Sequence, residues 1–154
     1  MIREFEYYHG VVLRDIIVCC RPHNVAIKLA DSRGRLNSYI LNENVGLHIK
    51  HRSSRMPPWQ FVFGQDTVEE MRTLKNEVRA VWLAFVCGED GVVFLREADF
   101  FSVNPASGAS AYLRIDRDKR AMYRVNGSSG PLRWAVKRGA RPLVTDLKQG
   151  ATSD

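Results

Sequence analysis

The stretch Ala80-Val-Trp-Leu-Ala-Phe-Val-Cys87 sets eight apolar residues in unbroken succession. A strand that shows water one face alternates apolar and polar side chains, so a run without alternation reads as a central strand covered on both faces. The rest of the chain must therefore supply cover on each side of it. Gly88-Glu-Asp-Gly91 turns the run back into a hairpin partner at Val92–Leu95, and Glu97–Val103 predicts a short helix stopped before Pro105.

Upstream, Phe5, Tyr8, Val12, Ile16 and Cys19 recur at helical spacing, predicting a helix over 2–20 that ends at Arg21-Pro22. Gly10 sits inside it at a cost of about 1 kcal/mol against alanine, which suggests close packing against another backbone. Strands are predicted at His23–Ala30, Leu36–Asn42, Val45–His51 and Trp59–Phe63, with turn chemistry at Asp31–Arg35 and Asn42–Asn44. In the third strand Val45, Leu47 and Ile49 point one way and Gly46, His48 and Lys50 the other. Asp66 or Thr67 is placed to cap a second helix running to about Glu77, with Glu69 and Glu70 near its positive end.

Beyond Ser107–Ser110 the character changes. Ala111–Ile115, Met122–Asn126 and Leu132–Val136 read as short strands, and Gly139 to Asp154 as an arm with a frayed end. The fold class that follows is α+β: a mixed β-sheet flanked by helices, in an α-β-β-β-β-α-β-β core, with a small C-terminal antiparallel β extension. Residues 1–104 form the α/β core, and residues 105–154 the basic extension and tail of the same domain. At 154 residues the chain is long enough to bury its apolar surface without staples.

The formal charge of +6 is unevenly spread: residues 112–148 carry ten Lys and Arg against three Asp and Glu, whereas residues 1–111 are balanced at thirteen each. A basic third on a neutral body suits either a solvated face or an acidic partner, most simply DNA or RNA. The opening residues show neither a signal peptide nor a membrane anchor, so no membrane partner is expected. Cys19, Cys20 and Cys87 form no CxxC pair and fit buried thiols in a reducing cytoplasm.

An opening helix, a three-strand meander, a second helix and a buried strand, with Ser38-Tyr39-Ile40 followed by Leu47-His-Ile-Lys50, resemble the core of the PD-(D/E)XK, or restriction-endonuclease-like, nucleases over roughly residues 2–87. The resemblance implies that Lys50 matches the family's lysine. His48 falls where an acid or glutamine belongs, and Tyr39 or Ile40 where an aspartate belongs. Glu4 or Glu6 could match a glutamate often found on the first helix. Magnesium needs carboxylate oxygens beside the scissile phosphate, and neither imidazole nor isoleucine supplies one. The implied protein is a degenerate, non-catalytic nuclease-like fold that binds the phosphate backbone without a cofactor. Its alternatives are an active nuclease using Mg or Mn with a migrated acid, drawing on Lys50, His48, Glu6 and Glu43, and a protein-interaction module or homodimer.

For the binding reading, the cations fall into three groups: Lys50, Arg52 and Arg55 in a proline-stiffened loop; Arg114, Arg117, Lys119, Arg120 and Arg124; and Arg133, Lys137, Arg138 and Arg141. Lys50 can equally reach solvent past its own stem. Alternation places Arg133 and Lys137 opposite Leu132, Trp134 and Val136. Trp59, Phe61 and Phe63 suit a buried stripe more than a base-stacking platform. His9 reads as a core histidine bonded to backbone. His48 and His51, three apart on a strand, face opposite ways and form no joint metal site. Cys87 reads as packing.

Overall fold

A computed structural model describes residues 1–30, 37–105 and 111–151. The predicted turn at Asp31–Arg35, the start of the second strand at Leu36, the change of character at Ser107–Ser110 and the last three residues of the tail lie outside them. In chain order the elements are α1 (Glu4–Cys20), β1 (Ile27–Leu29), β2 (Ser38–Leu41), β3 (Val45–Arg52), β4 (Trp59–Phe63), α2 (Gln65–Glu77), β5 (Ala80–Cys87), β6 (Gly91–Arg96), α3 (Glu97–Ser102), β7 (Ala111–Asp116), β8 (Arg124–Gly127), β9 (Gly130–Pro131) and α4 (Arg141–Ala151). None of the helices is long and apolar enough to cross a membrane among the described residues.

All eight residues of β5 are buried, as an apolar run without alternation requires. β5 lies inside a five-stranded sheet of order β1-β2-β3-β5-β6. It runs parallel to β3 and antiparallel to β6, so the sheet is mixed. The parallel β3–β5 pair needs a crossover, which β4 and α2 provide. Trp82, Ala84 and Val86 point to one side, where Val12 and Ile16 of α1 meet them. Leu83, Phe85 and Cys87 point to the other, onto Phe61, Phe63 and Phe100. Helices therefore flank this sheet in an α+β fold.

The second covering layer is itself a sheet. β4, β7, β8 and β9 form an antiparallel sheet in that order. β7 and β8 pair antiparallel as expected, the third strand is β9 within the predicted Gly127–Pro131 turn, and β4 joins them through Trp59↔Ile115 and Phe61↔Leu113. Its inner face carries Trp59, Phe61, Phe63, Leu113, Ile115 and Val125 into the core, so the C-terminal strands line the interior rather than only extending it. Phe61 and Phe63 meet Phe85 edge-on at 5.0 and 5.8 Å. α2 sits so close to β3 that a Cβ on Gly46 would lie 2.7 Å from the Leu74 side chain.

Several elements differ from expectation. The arm beyond Gly139 is α4, whose Leu143, Val144 and Leu147 are buried against α1 and β5. Proline is tolerated in a first helical turn, which is where Pro142 stands. β1 is only Ile27–Leu29, an edge strand with Leu29 half exposed. α2 starts at Gln65, so that Gly64 is its N-cap and Asp66 and Thr67 stand inside its first turn. In α1 the buried residues are His9, Val12, Ile16 and Cys20, with Cys19 at the flank. Among the described residues, Gly10 meets no other group within 4 Å of where its Cβ would be, so no described backbone packs against it. Leu132–Val136 is not a strand: β9 ends at Pro131, which has no N–H to donate, and Val136 returns only through an isolated bridge to Tyr123.

Two buried polar contacts fasten the helical layer. On α4, Asp146 accepts from the Trp82 indole at 2.7 Å and from Arg79 at 2.9 Å. Burial pushes the Asp146 carboxyl up, but these hydrogen bonds and the charges of Arg79 and Arg96 outweigh it and hold the carboxyl below its ordinary range. On α1, His9 bonds the Tyr39 hydroxyl at 2.8 Å rather than the backbone. Burial, with help from the nearby charge of His51, lowers the His9 pKa to about 4. His51 in turn stacks on Tyr8 and lies 3.8 Å from Glu4.

A histidine whose folded pKa is depressed binds fewer protons in the folded chain than in the unfolded one, so folding is disfavoured by acid. The His9 contribution is complete above the ordinary histidine pKa of 6.5 and is lost as pH falls toward about 4. Urea midpoints measured across that window should fall for the natural chain and fall less steeply for His9→Gln. Equal slopes would show that His9 is not the group responsible.

Candidate functional site

β3 ends in a seam between the two sheets. Gly46, His48 and Lys50 share the face turned toward α2 and β4, as their alternation predicts. Cross-strand register puts Ser38 opposite His48 and Ile40 opposite Gly46, so Ile40 shares that face and Tyr39 does not. His48 is buried, with its Nδ1 2.9 Å from the Ser38 Oγ. Ser38 also donates to Glu70 Oε1 of α2 at 3.1 Å.

Lys50 does not simply run out to solvent. Its Nζ reaches the Val62 carbonyl at 3.5 Å and stands 5.0 Å from the Phe63 ring centre. Burial lowers its pKa, and the charge of Arg52 adds to this while Glu70 opposes it. Arg52 donates through Nε to the Gln60 carbonyl at 2.5 Å. β4 pairs with β7 along its other edge, so these two cations satisfy carbonyls that the ladder leaves over.

The acids suggested by the resemblance do not gather here. Glu6 is exposed on α1, which packs on the opposite face of the sheet. Glu43 lies in the turn before β3, paired with Lys28 at 2.7 Å. At about 3.3 Å of rise per residue it stands on the order of 20 Å from Lys50. The acid the fold does bring to the seam is Glu70. Its sequence position marked it only as an acid in the first turns of a helix, and the crossover geometry that sets it over Ser38 is not a local signal. One carboxylate beside a buried imidazole does not suit a hard cation. No cluster of three or more His, Cys, Asp or Glu that could hold a metal occurs among the described residues. Among the described residues, the seam does not offer magnesium or manganese the carboxylates it needs.

The C-terminal cations divide into two groups. Asp90, in the β5–β6 turn, draws in Arg117, the Tyr123 hydroxyl at 2.5 Å and Arg138 at 3.9 Å. Burial pushes the Tyr123 hydroxyl up, and its bond to Asp90 raises it further. Arg117 and Arg138 are thus anchors of the β5–β6 turn. Arg114 lies 3.6 Å from Asp116, and Arg124 lies 2.8 Å from Asp118, both on the surface. Arg55, Lys119, Arg120, Arg133 and Lys137 are exposed and engage no carboxylate among the described residues. Because 132–136 is not a strand, Arg133 and Lys137 are not set by alternation: Leu132 and Val136 are buried, whereas Trp134 is half exposed.

The outer face of the β4-β7-β8-β9 sheet carries the polar counterpart of the buried stripe. Gln60 stands opposite Arg114, which stands opposite Asn126. Val62 stands opposite Tyr112, and Asp116 opposite Arg124. Lys50 and Arg52 border this face along the β4 edge. Trp59, Phe61 and Phe63 turn inward, which rules them out as a base-stacking surface. His51 stacks on Tyr8 of α1 while His48 faces Ser38, so the two histidines do point opposite ways. Cys87 is fully buried and burial pushes its thiol up, in keeping with packing rather than nucleophilic chemistry. No family model, no curated protein and no solved structure matches this chain.

Removing the Asp90 carboxylate would leave Arg117 and Tyr123 without their shared acceptor in a largely buried position. Asp90→Ala should cost about 3 kcal/mol, read from the urea midpoint. Asp118→Ala, whose partner Arg124 stands in water, should leave the midpoint unchanged. Similar effects from both would contradict the division of the basic residues into anchors and surface cations.

Proposed function

We propose that the protein binds nucleic acid non-catalytically through phosphate contacts, on a fold of the restriction-endonuclease-like kind. The observation that carries this reading is the outer sheet face, where Arg114, Gln60, Asn126 and Tyr112 lie side by side with Lys50 and Arg52 along one edge. Cations beside amides and an aromatic ring on an open sheet suit a backbone with accessible bases. The order of α1, the β1-β2-β3 meander, α2 and β5 is the order that the nuclease-like core would have. Ser38 bonds His48 within the fold, and the acid acting on Lys50 among the described residues is Glu70, which favours binding over cleavage. The three thiols suit a reducing compartment such as the cytoplasm.

Binding of labelled single- and double-stranded DNA and RNA, titrated between about 50 and 200 mM salt, tests the proposal. Affinity should fall steeply with salt, by about 0.7 to 0.9 logarithmic units per phosphate contact. Arg114→Ala should reduce that slope by about one contact. Arg21→Ala, just past α1 on the far side of the molecule, should leave the slope intact. No binding at low salt would falsify the proposal. Cleavage of plasmid with Mg or Mn that Lys50→Ala abolishes would replace it with the nuclease reading.

A further inference from the structure

The sequence raised the expectation that Gly10 marks a close packing of backbones, yet no described residue approaches it. The outward face of α1 around it is unusually apolar for a solvated helix. Tyr7 is 63% exposed, Val11 51% and Ile17 50%. Tyr7, Gly10, Arg14 and Ile17 follow three- and four-residue spacing along the side turned away from Val12 and Ile16. Glu6 and Arg14, both exposed, flank the glycine four residues to either side, about 6 Å along the axis. They stand two turns apart, and neither makes an ion pair with a described residue.

We infer that this face binds a second copy of the chain, α1 against α1, antiparallel and crossing at Gly10. A two-fold axis through the glycine brings Glu6 of each copy level with Arg14 of the other, giving two equivalent charge pairs. The missing side chain lets the helix axes approach closely at the crossing, and Tyr7, Val11 and Ile17 close around it. A parallel arrangement would instead set Arg14 beside Arg14, so the charge pattern selects the antiparallel one. An interface of one helix per copy is small, and its affinity falls in the range of transient association. α1 lies across the larger sheet from the outer face of β4, β7 and β8. A dimer made this way leaves that face open on both copies, and the inference does not depend on what the face binds.

Sedimentation equilibrium over a wide concentration range tests it. The natural chain should show reversible dimerisation. Arg14→Glu and Glu6→Arg should each weaken it by about tenfold, because each replaces two attractions with two repulsions. The double variant carrying both changes should restore it, since the pairs re-form with their signs exchanged. Gly10→Ala should raise the melting temperature of the chain while weakening association, which separates an effect on the interface from an effect on folding. A chain that stays monomeric throughout overturns the inference and leaves this face to an unlike partner. Charge reversals without effect, or a double variant no better than the singles, overturn it as well.

Discussion

Coverage of β5 on both faces is the constraint on which the rest of the structure depends. Its alternate residues enter two different cores: Trp82, Ala84 and Val86 meet the helices, and Leu83, Phe85 and Cys87 meet the second sheet. Each side needs its own layer, because leaving either one in water would expose several large side chains at about 25 cal/mol per Å². The chain meets this demand by sending α1 and α4, from its two ends, to one face. It sends α2, α3 and a sheet assembled from β4 and the C-terminal strands to the other. Layering, and the crossover that makes β3 and β5 parallel, follow from that single buried strand.

Polar groups at the joints between layers do work that apolar packing leaves undone. Asp146 ties α4 to Trp82 and Arg79, Asp90 gathers Arg117, Tyr123 and Arg138, and Ser38 links His48 to Glu70. In each case a group that burial would penalise is satisfied by partners from a different element. Such contacts add geometric selectivity, since a carboxylate bonded to an indole and a guanidinium admits few other positions of its helix. The same economy bears on binding: cations spent on Asp90 are unavailable to an outside phosphate, while Arg114 and its neighbours on the outer sheet face remain beside open amides and a tyrosine.

Much of the fold was legible in local pattern. The spacing of Val12 and Ile16, the alternation in β3, the aromatic period of β4 and the apolar run of β5 each report which face an element buries, because side-chain direction repeats with the backbone. The site was legible only in part. Lys50 and His48 could be placed on one face from their spacing, but Glu70 reaches Ser38 through a crossover, 32 residues away in sequence. Counting charges along residues 112–148 overstated the free cations, because Asp90, which holds two of them, lies outside that segment. The arm read beyond Gly139 failed for a related reason: Leu143, Val144 and Leu147 form a short apolar stripe whose helix is secured by Asp146 and the sheet it lands on.

The sequence by itself determined the elements from α1 to α3 and the faces they bury, since periodicity, proline and glycine act over a few residues. It also determined that β5 would be central, because no solvated face can be drawn on it. Only the tertiary structure decided which strands share a sheet, that β4 leaves the first meander for β7, and which charges meet. Those outcomes rest on contacts between residues tens of positions apart, where burial and complementary charge select among arrangements that local pattern leaves equally open. Gly10 shows the boundary between the two. Its place in an apolar helix is written in the chain, but that no described element fills its space depends on where each of them finds its partner.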